Sequence, residues 1–319
     1  MNRKKILIVG FGAMGCRHAQ SFLNKKKNYE VHILEISNEN IKKNLERINA
    51  EKLDFIWHKN INDIPLLDVA IVATSSQPRF EIVKKLITMG YKKFLLEKIV
   101  FQSLEQFNII SKMIDKSNIF AYCNFVNRYF VAYNDIKKYL NQSTEQININ
   151  VLGNASQLSL GCNAIHYIDI LQYLTNNDQI QLKKFNLNLF GGNNRRGSIY
   201  KEFYGMIKLA NTYGDSITLN ADLDLEQDIT ISISQGEKTF ILNEGTGKLL
   251  ISDKSSSYVN DFIIIPSSKL THTIIEDILK NQCRLTTIDQ TLQSHSSIFK
   301  AFNTTLKIRH STNSLCPIT

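Results

Sequence analysis

Four prolines and 14 glycines in 319 residues are too few for a collagen-like or proline-rich disordered chain. Cysteine is scarce too: Cys16, Cys123, Cys162, Cys283 and Cys316 are odd in number, scattered and without a CxxC pair. That excludes a disulfide framework and a cysteine-rich zinc site, and it predicts a reducing compartment and no metal. No run approaches the about 18–20 apolar residues of a membrane span. A soluble, cytoplasmic protein without a membrane partner is therefore expected. Basic residues outnumber acidic ones by 38 to 29, yet the densest basic run is Lys25-Lys26-Lys27. With no aromatic-interleaved basic stripe, no nucleic acid partner is expected, and a small anionic ligand suits the balance better.

What is present points to two domains, since the length is about twice the usual ~150 residues. The charged start at residues 1–5 and the apolar stretch from Ile6 to Cys16 imitate a lipoprotein signal, but the glycines inside that stretch have a better explanation. Ile6-Leu7-Ile8-Val9 is apolar without alternation, as in a parallel strand buried on both faces, and it leads directly into Gly10-Phe11-Gly12-Ala13-Met14-Gly15. A helix is predicted over 13–25 and a second strand over 31–34, ending on Glu35, which lies 20 residues after Gly15. In this GxGxxG pattern the first glycine permits the tight turn, the second lets backbone approach a pyrophosphate, and the third allows strand and helix to pack. The helix N-terminus then favours phosphate charge, and Glu35 accepts the ribose hydroxyls. NAD is the expected cofactor.

Further strands are predicted at 68–74, 94–96 and 119–122, with helices over 79–89 and from Ser103 to about 116, so a doubly wound parallel sheet occupies residues 1–122. After a helix near 130–140 the texture changes. Gln146-Ile147-Asn148-Ile149-Asn150-Val151 alternates with period two, the sign of a sheet wet on one face. The second domain, 123–319, is read as α+β: a helix over 163–174, an open and mostly antiparallel sheet, and a terminal helix packing back through Ile288, Leu292, His295, Phe299, Phe302 and Leu306. The uncovered sheet face favours a homo-oligomer, dimer or tetramer.

At this point the chain resembles the Gfo/Idh/MocA oxidoreductases, named for glucose-fructose oxidoreductase and inositol dehydrogenase. The resemblance rests on Gly10 to Gly15 followed by Arg17-His18-Ala19, on Ala73-Thr74, and on Leu96-Glu97-Lys98, which is similar to a Glu-Lys-Pro signature. It also rests on Asn124 with Asn127-Arg128-Tyr129-Phe130, and on His166-Tyr167-Ile168-Asp169, similar to His-x-x-Asp. It implies hydride transfer between NAD and a hydroxyl or carbonyl carbon of a sugar, cyclitol or nucleotide-sugar. By the same resemblance Lys98 and His166 are catalytic, Asn124, Arg128, Cys162, Asn163 and Asp169 meet the substrate, and Thr74, Glu97 and Lys98 join the glycine turn and Glu35 at the cofactor. The stretch 162–171 and the terminal Cys316-Pro317-Ile318-Thr319 resemble members encoded among bacterial surface-sugar genes. Two departures stand out. Ile99 replaces the proline, so a cis peptide is not expected there. Cys162 stands where an Asp precedes the histidine by four, and a thiol cannot replace a carboxylate beside an imidazolium.

The residues also carry readings of their own. Lys98 follows a parallel strand's carboxyl end, where doubly wound sheets bind ligands, and its ammonium is suited to stabilising negative charge on a substrate oxygen. His166 reads either as a proton carrier or as a buried histidine bonded to backbone. Arg128 reads either as a ligand for hydroxyl or phosphate oxygens or as half of an ion pair. Arg195-Arg196 sit in a glycine- and asparagine-rich hairpin tip. Two other readings stay open: a dinucleotide-binding sensor or scaffold without turnover, and an enzyme holding NAD tightly for epimerisation, elimination or glycoside hydrolysis.

Overall fold

The computed structural model describes residues 3–140, 144–191, 197–309 and 311–319. Arg195 and Arg196 lie outside the described residues. The chain opens as alternating strands and helices: β1 (Lys4–Val9), α1 (Ala13–Gln20), β2 (Tyr29–Leu34), α2 (Asn38–Ile48), β3 (Ile56–His58), β4 (Val69–Val72), α3 (Ser76–Thr88), β5 (Lys93–Leu96), α4 (Leu104–Asp115) and β6 (Phe120–Cys123). The six strands form one parallel sheet in the order β3-β2-β1-β4-β5-β6. The order reverses direction between β1 and β4, the place where open α/β sheets bind ligands beyond their strand ends. Ile6, Leu7, Ile8 and all of β4 are fully buried, which is why these strands carry no polar alternation.

Helix bounds move from expectation for local reasons. α1 stops at Gln20 and is followed by a 3-10 turn at Leu23–Lys25 instead of running through 25. α3 begins before Pro78, because proline in a first helical turn forfeits no intrahelical hydrogen bond.

The second sheet follows a helix, α5 (Val131–Leu140). Its elements are β7 (Ile147–Asn154), α6 (Ala155–Leu158), α7 (Leu160–Thr175), β8 (Gln181–Leu189), β9 (Phe203–Ala210), β10 (Ser216–Asp222), β11 (Thr230–Gln235), β12 (Lys238–Asn243), β13 (Lys248–Ser252) and β14 (Ser257–Asp261). The order is β14-β13-β12-β11-β7-β10-β9-β8, antiparallel except where β7 pairs with β10. In β7 Ile147, Ile149 and Val151 are buried while Asn148 and Asn150 are exposed, so the period-two pattern marks one covered and one open face. α7 starts three residues earlier than the apolar pattern indicated, after Ser159 turns the chain in the left-handed region (φ 41°).

The domain division differs from a single cut after residue 122. One compact unit comprises residues 1–101, 106–124 and 265–288; the other comprises 102–105, 125–264 and 289–319. The returning segment carries α8 (Ser267–Leu279), which the sequence reading did not place. Specific polar contacts tie it to the parallel-sheet unit: Tyr29 donates to Glu276 at 2.6 Å and Lys93 to the Leu279 carbonyl at 2.7 Å. α9 (Ile288–Thr305) ends the helices, and in its unit Phe302 stacks on Phe203 with centroids 4.3 Å apart. His295 in its stripe is fully buried and bonded to Thr291, a core histidine. Among the described residues no helix is long and apolar enough to cross a membrane.

Candidate functional site

The glycine turn is built by the register of β1 on β2. Val9 pairs with Leu34, and the Gly10 N–H reaches the Leu34 carbonyl at 2.9 Å, which brings residue 35 beside the turn. One Glu35 carboxylate oxygen accepts the Phe11 N–H and the other the Ser37 N–H, both at 2.8 Å. Glu35 is thus fixed as an acceptor at the end of β2, and each oxygen keeps a lone pair for a hydroxyl. Phe11 is held from inside the turn. Its N–H is spent on Glu35 and its fully buried ring packs against Phe55 and Trp57, so its side chain organises the turn. Although residues 36–38 hold no cation, Lys59 arrives from beyond β3 to donate to the Ile36 carbonyl and Asn38.

The glycines divide by what surrounds them. Gly10 has φ +89°, a backbone that side-chain-bearing residues rarely adopt. A Cβ on Gly15 would stand 1.9 Å from the Gly10 carbonyl oxygen, whereas one on Gly12 would meet nothing within 4 Å. Gly12 caps α1, which has no side-chain cap and no acidic residue in its first turn. The space beside Gly12 and the uncapped helix start therefore fit a dinucleotide pyrophosphate. Buried and without a hydrogen-bond partner, the Thr74 hydroxyl and the Asn124 side-chain carbonyl at two further strand ends also fit a polar ligand. Gly15→Ala is expected to destabilise the protein by about 1–3 kcal/mol through overpacking. Gly12→Ala should fold normally yet weaken NAD(H) at least about tenfold. Urea denaturation and calorimetric titration check the pair; wild-type NAD(H) binding by Gly12→Ala would remove the turn from the site.

Glu97 and Lys98 follow β5, 5% and 8% exposed. Glu97 accepts from His18 Nε2 at 2.9 Å and from the Asn124 amide at 2.6 Å, and His18 Nδ1 meets the Thr271 hydroxyl at 2.8 Å. Burial alone would raise the Glu97 pKa, but the His18 hydrogen bond and charge, the Lys98 charge and the Asn124 bond outweigh it and hold the carboxyl down to about 2. His18 escaped the sequence reading as a functional residue, although it lay inside the quoted Arg17-His18-Ala19. Its partner Thr271 comes from the returning segment.

Because the folded pKa of Glu97 lies below its ordinary value of 4.5, its stabilisation is complete above the unfolded value and is lost as pH falls toward 2. Glu97→Gln is expected to cost about 3 kcal/mol at neutral pH, and the gap to wild type should close in acid. Denaturant titrations at pH 7 and pH 3 read this directly; a gap independent of pH would mean that the ionised carboxylate is not what the network holds.

The Lys98–Ile99 peptide is cis, against the expectation from the missing proline. Local tertiary contacts override the intrinsic preference here: Ile99 and Val100 are fully buried, and the carbonyls of Glu97 and Ile99 both accept from Arg79.

In the second unit α7 presents Cys162, Asn163 and His166 half-buried, one turn apart on one face, while its other side is buried. The His166 ring stands edge-on to Phe125 with centroids 5.7 Å apart. Two of the expected substrate residues meet each other. Asp169 is fully buried, and both its oxygens are taken by Arg128, from Nε at 2.9 Å and Nη2 at 2.8 Å. Arg128 and Asp169 therefore form a bidentate pair, the ion-pair reading of Arg128. Asn124 is likewise half committed, to Glu97. Among the described residues no three His, Cys, Asp or Glu side chains are grouped to hold a metal ion.

A glycine turn at the switch point of a six-stranded parallel sheet, with an acid at the end of β2, defines a dinucleotide-binding Rossmann domain. Residues 4–125 match the family model for the Gfo/Idh/MocA oxidoreductases, an oxidoreductase family with an NAD-binding Rossmann fold. Similar solved structures include an oxidoreductase from Agrobacterium radiobacter in complex with NAD+, L-tartaric acid and magnesium (TM-score 0.73, 12% identity, 96% of this chain and 97% of that one). UDP-N-acetylglucosamine 3-dehydrogenase from Acidithiobacillus ferrooxidans is similar over 97% of both chains (TM-score 0.68, 12% identity). So is a super-repressor mutant of Gal80p from Saccharomyces cerevisiae over 96% of both (TM-score 0.70, 14% identity). At these identities the likeness is one of fold. Comparison with curated protein sequences gives no match.

Proposed function

We propose that the protein is a nicotinamide-dependent oxidoreductase acting on a CH–OH group of a sugar, cyclitol or nucleotide-sugar, with NAD as cofactor. The observation that carries this reading is the open space at Gly12 beside a Glu35 carboxylate held by two backbone N–H groups. The family match of residues 4–125 supports the reaction class, and the fold shared with a nucleotide-sugar dehydrogenase supports the substrate class. When bound, the nicotinamide accepts or returns the hydride. Gly12 and the start of α1 would hold the pyrophosphate, and Glu35 the ribose. Lys98 is assigned the substrate oxygen, whose developing negative charge its ammonium stabilises. His166 is assigned the hydroxyl proton. Incubation with NAD+ and a panel of sugars, cyclitols and nucleotide-sugars tests the reading by the absorbance of reduced nicotinamide; binding of NAD+ with no hydride transfer to or from any of them would contradict it.

NAD(H) is expected to bind at least about tenfold more tightly than NADP(H), because the Glu35 carboxylate repels a 2′-phosphate. Lys59 softens that repulsion without reversing it, since its ammonium already serves the Ile36 carbonyl and Asn38. Titration with both cofactors decides, and equal affinity would sink the role of Glu35.

A second reading, a dinucleotide sensor without turnover, draws on two positions of α7: 162 is cysteine, where the resembled pattern has Asp, and Asp169 is held by Arg128. Sustained turnover with any sugar excludes it. We also propose a homo-oligomer, since the second sheet keeps one face with exposed Asn148 and Asn150; light scattering in solution would report its mass.

A further inference from the structure

Arg79 is among the largest side chains that are fully buried, 1% exposed, in the first turn of α3. A guanidinium taken out of water needs its fork of N–H donors satisfied. Main-chain carbonyls do this here for the two terminal nitrogens. Arg79 donates to the carbonyl of Thr74, beyond the end of β4, and to those of Glu97 and Ile99, the residues on either side of Lys98 beyond β5; the Val100 carbonyl lies 3.4 Å away. One rigid, planar group therefore ties two neighbouring strand ends together and grips the chain before and after Lys98.

With both flanking carbonyls held, the direction in which the Lys98 side chain leaves the backbone is fixed. No proline ring at position 99 restrains that segment, so hydrogen bonds from Arg79 do so instead. The Glu97 side chain is anchored separately, by His18 and Asn124. We infer that Arg79 is the positioning residue for Lys98: its buried guanidinium, bonded to the carbonyls on both sides of that lysine, holds the ammonium in the place from which it acts. The inference rests on the catalytic role proposed for Lys98. Lysine at position 79 keeps the charge but lacks the fork, so it cannot hold three carbonyls in one plane.

Four measurements test this together. In wild-type protein, nitrogen-15 NMR of the arginine side chains should show the Arg79 Nη protons exchanging at least about tenfold more slowly than those of exposed arginines; equally fast exchange would overturn the inference whether or not any variant folds. In Arg79→Lys, kcat should fall about a hundredfold, the usual consequence of a misplacement near 1 Å, with KM and NAD(H) affinity within about threefold. In Arg79→Ala, millimolar guanidinium should restore at least about tenfold of the lost kcat, as a filler of the same shape, while ammonium should not. Peptide mass spectrometry after reductive methylation, without cofactor or substrate, should show the reactivity of Lys98 changed severalfold in Arg79→Lys. That readout separates the two claims. Altered Lys98 reactivity without turnover of any sugar by wild type leaves positioning standing and removes the catalytic reading; wild-type kcat and unchanged Lys98 reactivity in a folded Arg79→Lys overturn positioning alone.

Discussion

Lys98→Met is expected to lower kcat about a thousandfold while NAD(H) affinity stays within about tenfold of wild type. Methionine keeps the length and apolar stem of a side chain that is 8% exposed, so the packing survives and only the charge is removed. In its proposed role the ammonium stabilises charge that exists on the substrate oxygen only in the transition state, and such an interaction appears in kcat more than in binding. Steady-state kinetics and calorimetric titration of the variant are the check. A thousandfold loss of NAD(H) affinity would instead assign Lys98 to the cofactor, and full activity would remove it from the reaction.

The second large effect is expected at α7. His166→Ala should lower turnover by about 10²- to 10⁴-fold, the usual scale for losing a positioned proton carrier. Cys162 precedes His166 by four residues on the same half-buried face, so Cys162→Asp places a carboxylate one turn away. An opposite charge at that range favours the imidazolium, and the kinetic pKa for alcohol oxidation should rise by about one unit. Profiles of kcat/KM against pH for wild type and Cys162→Asp read the shift. If His166→Ala turns over like wild type, the histidine is structural; if it is inactive while Cys162→Asp leaves the profile unmoved, the two side chains are not coupled.

Much of the Rossmann unit was legible because its signals are local. The unalternated strands, the glycine spacing and the acid at 35 each follow from one short segment, and the register of β1 on β2 then brings them together. Signals that depend on distant residues were not legible. Nothing in residues 265–288 alone reveals that Thr271 meets His18 or that α8 returns to the first unit. Arg79 read as an ordinary helical residue, since its role appears only when the ends of β4 and β5 lie side by side. That Arg128 pairs with Asp169, 41 residues away in sequence, was likewise not fixed by either segment alone. The peptide after Lys98 followed its tertiary surroundings and not the local preference of Ile99.

Native mass spectrometry of the freshly purified protein, before and after incubation with NAD(H), tests most directly whether this chain is a nicotinamide enzyme. One NAD(H) per chain is the expected result, retained on gentle ionisation and lost in Gly12→Ala. A bare chain in both samples, at cofactor concentrations well above those of a cell, would contradict it.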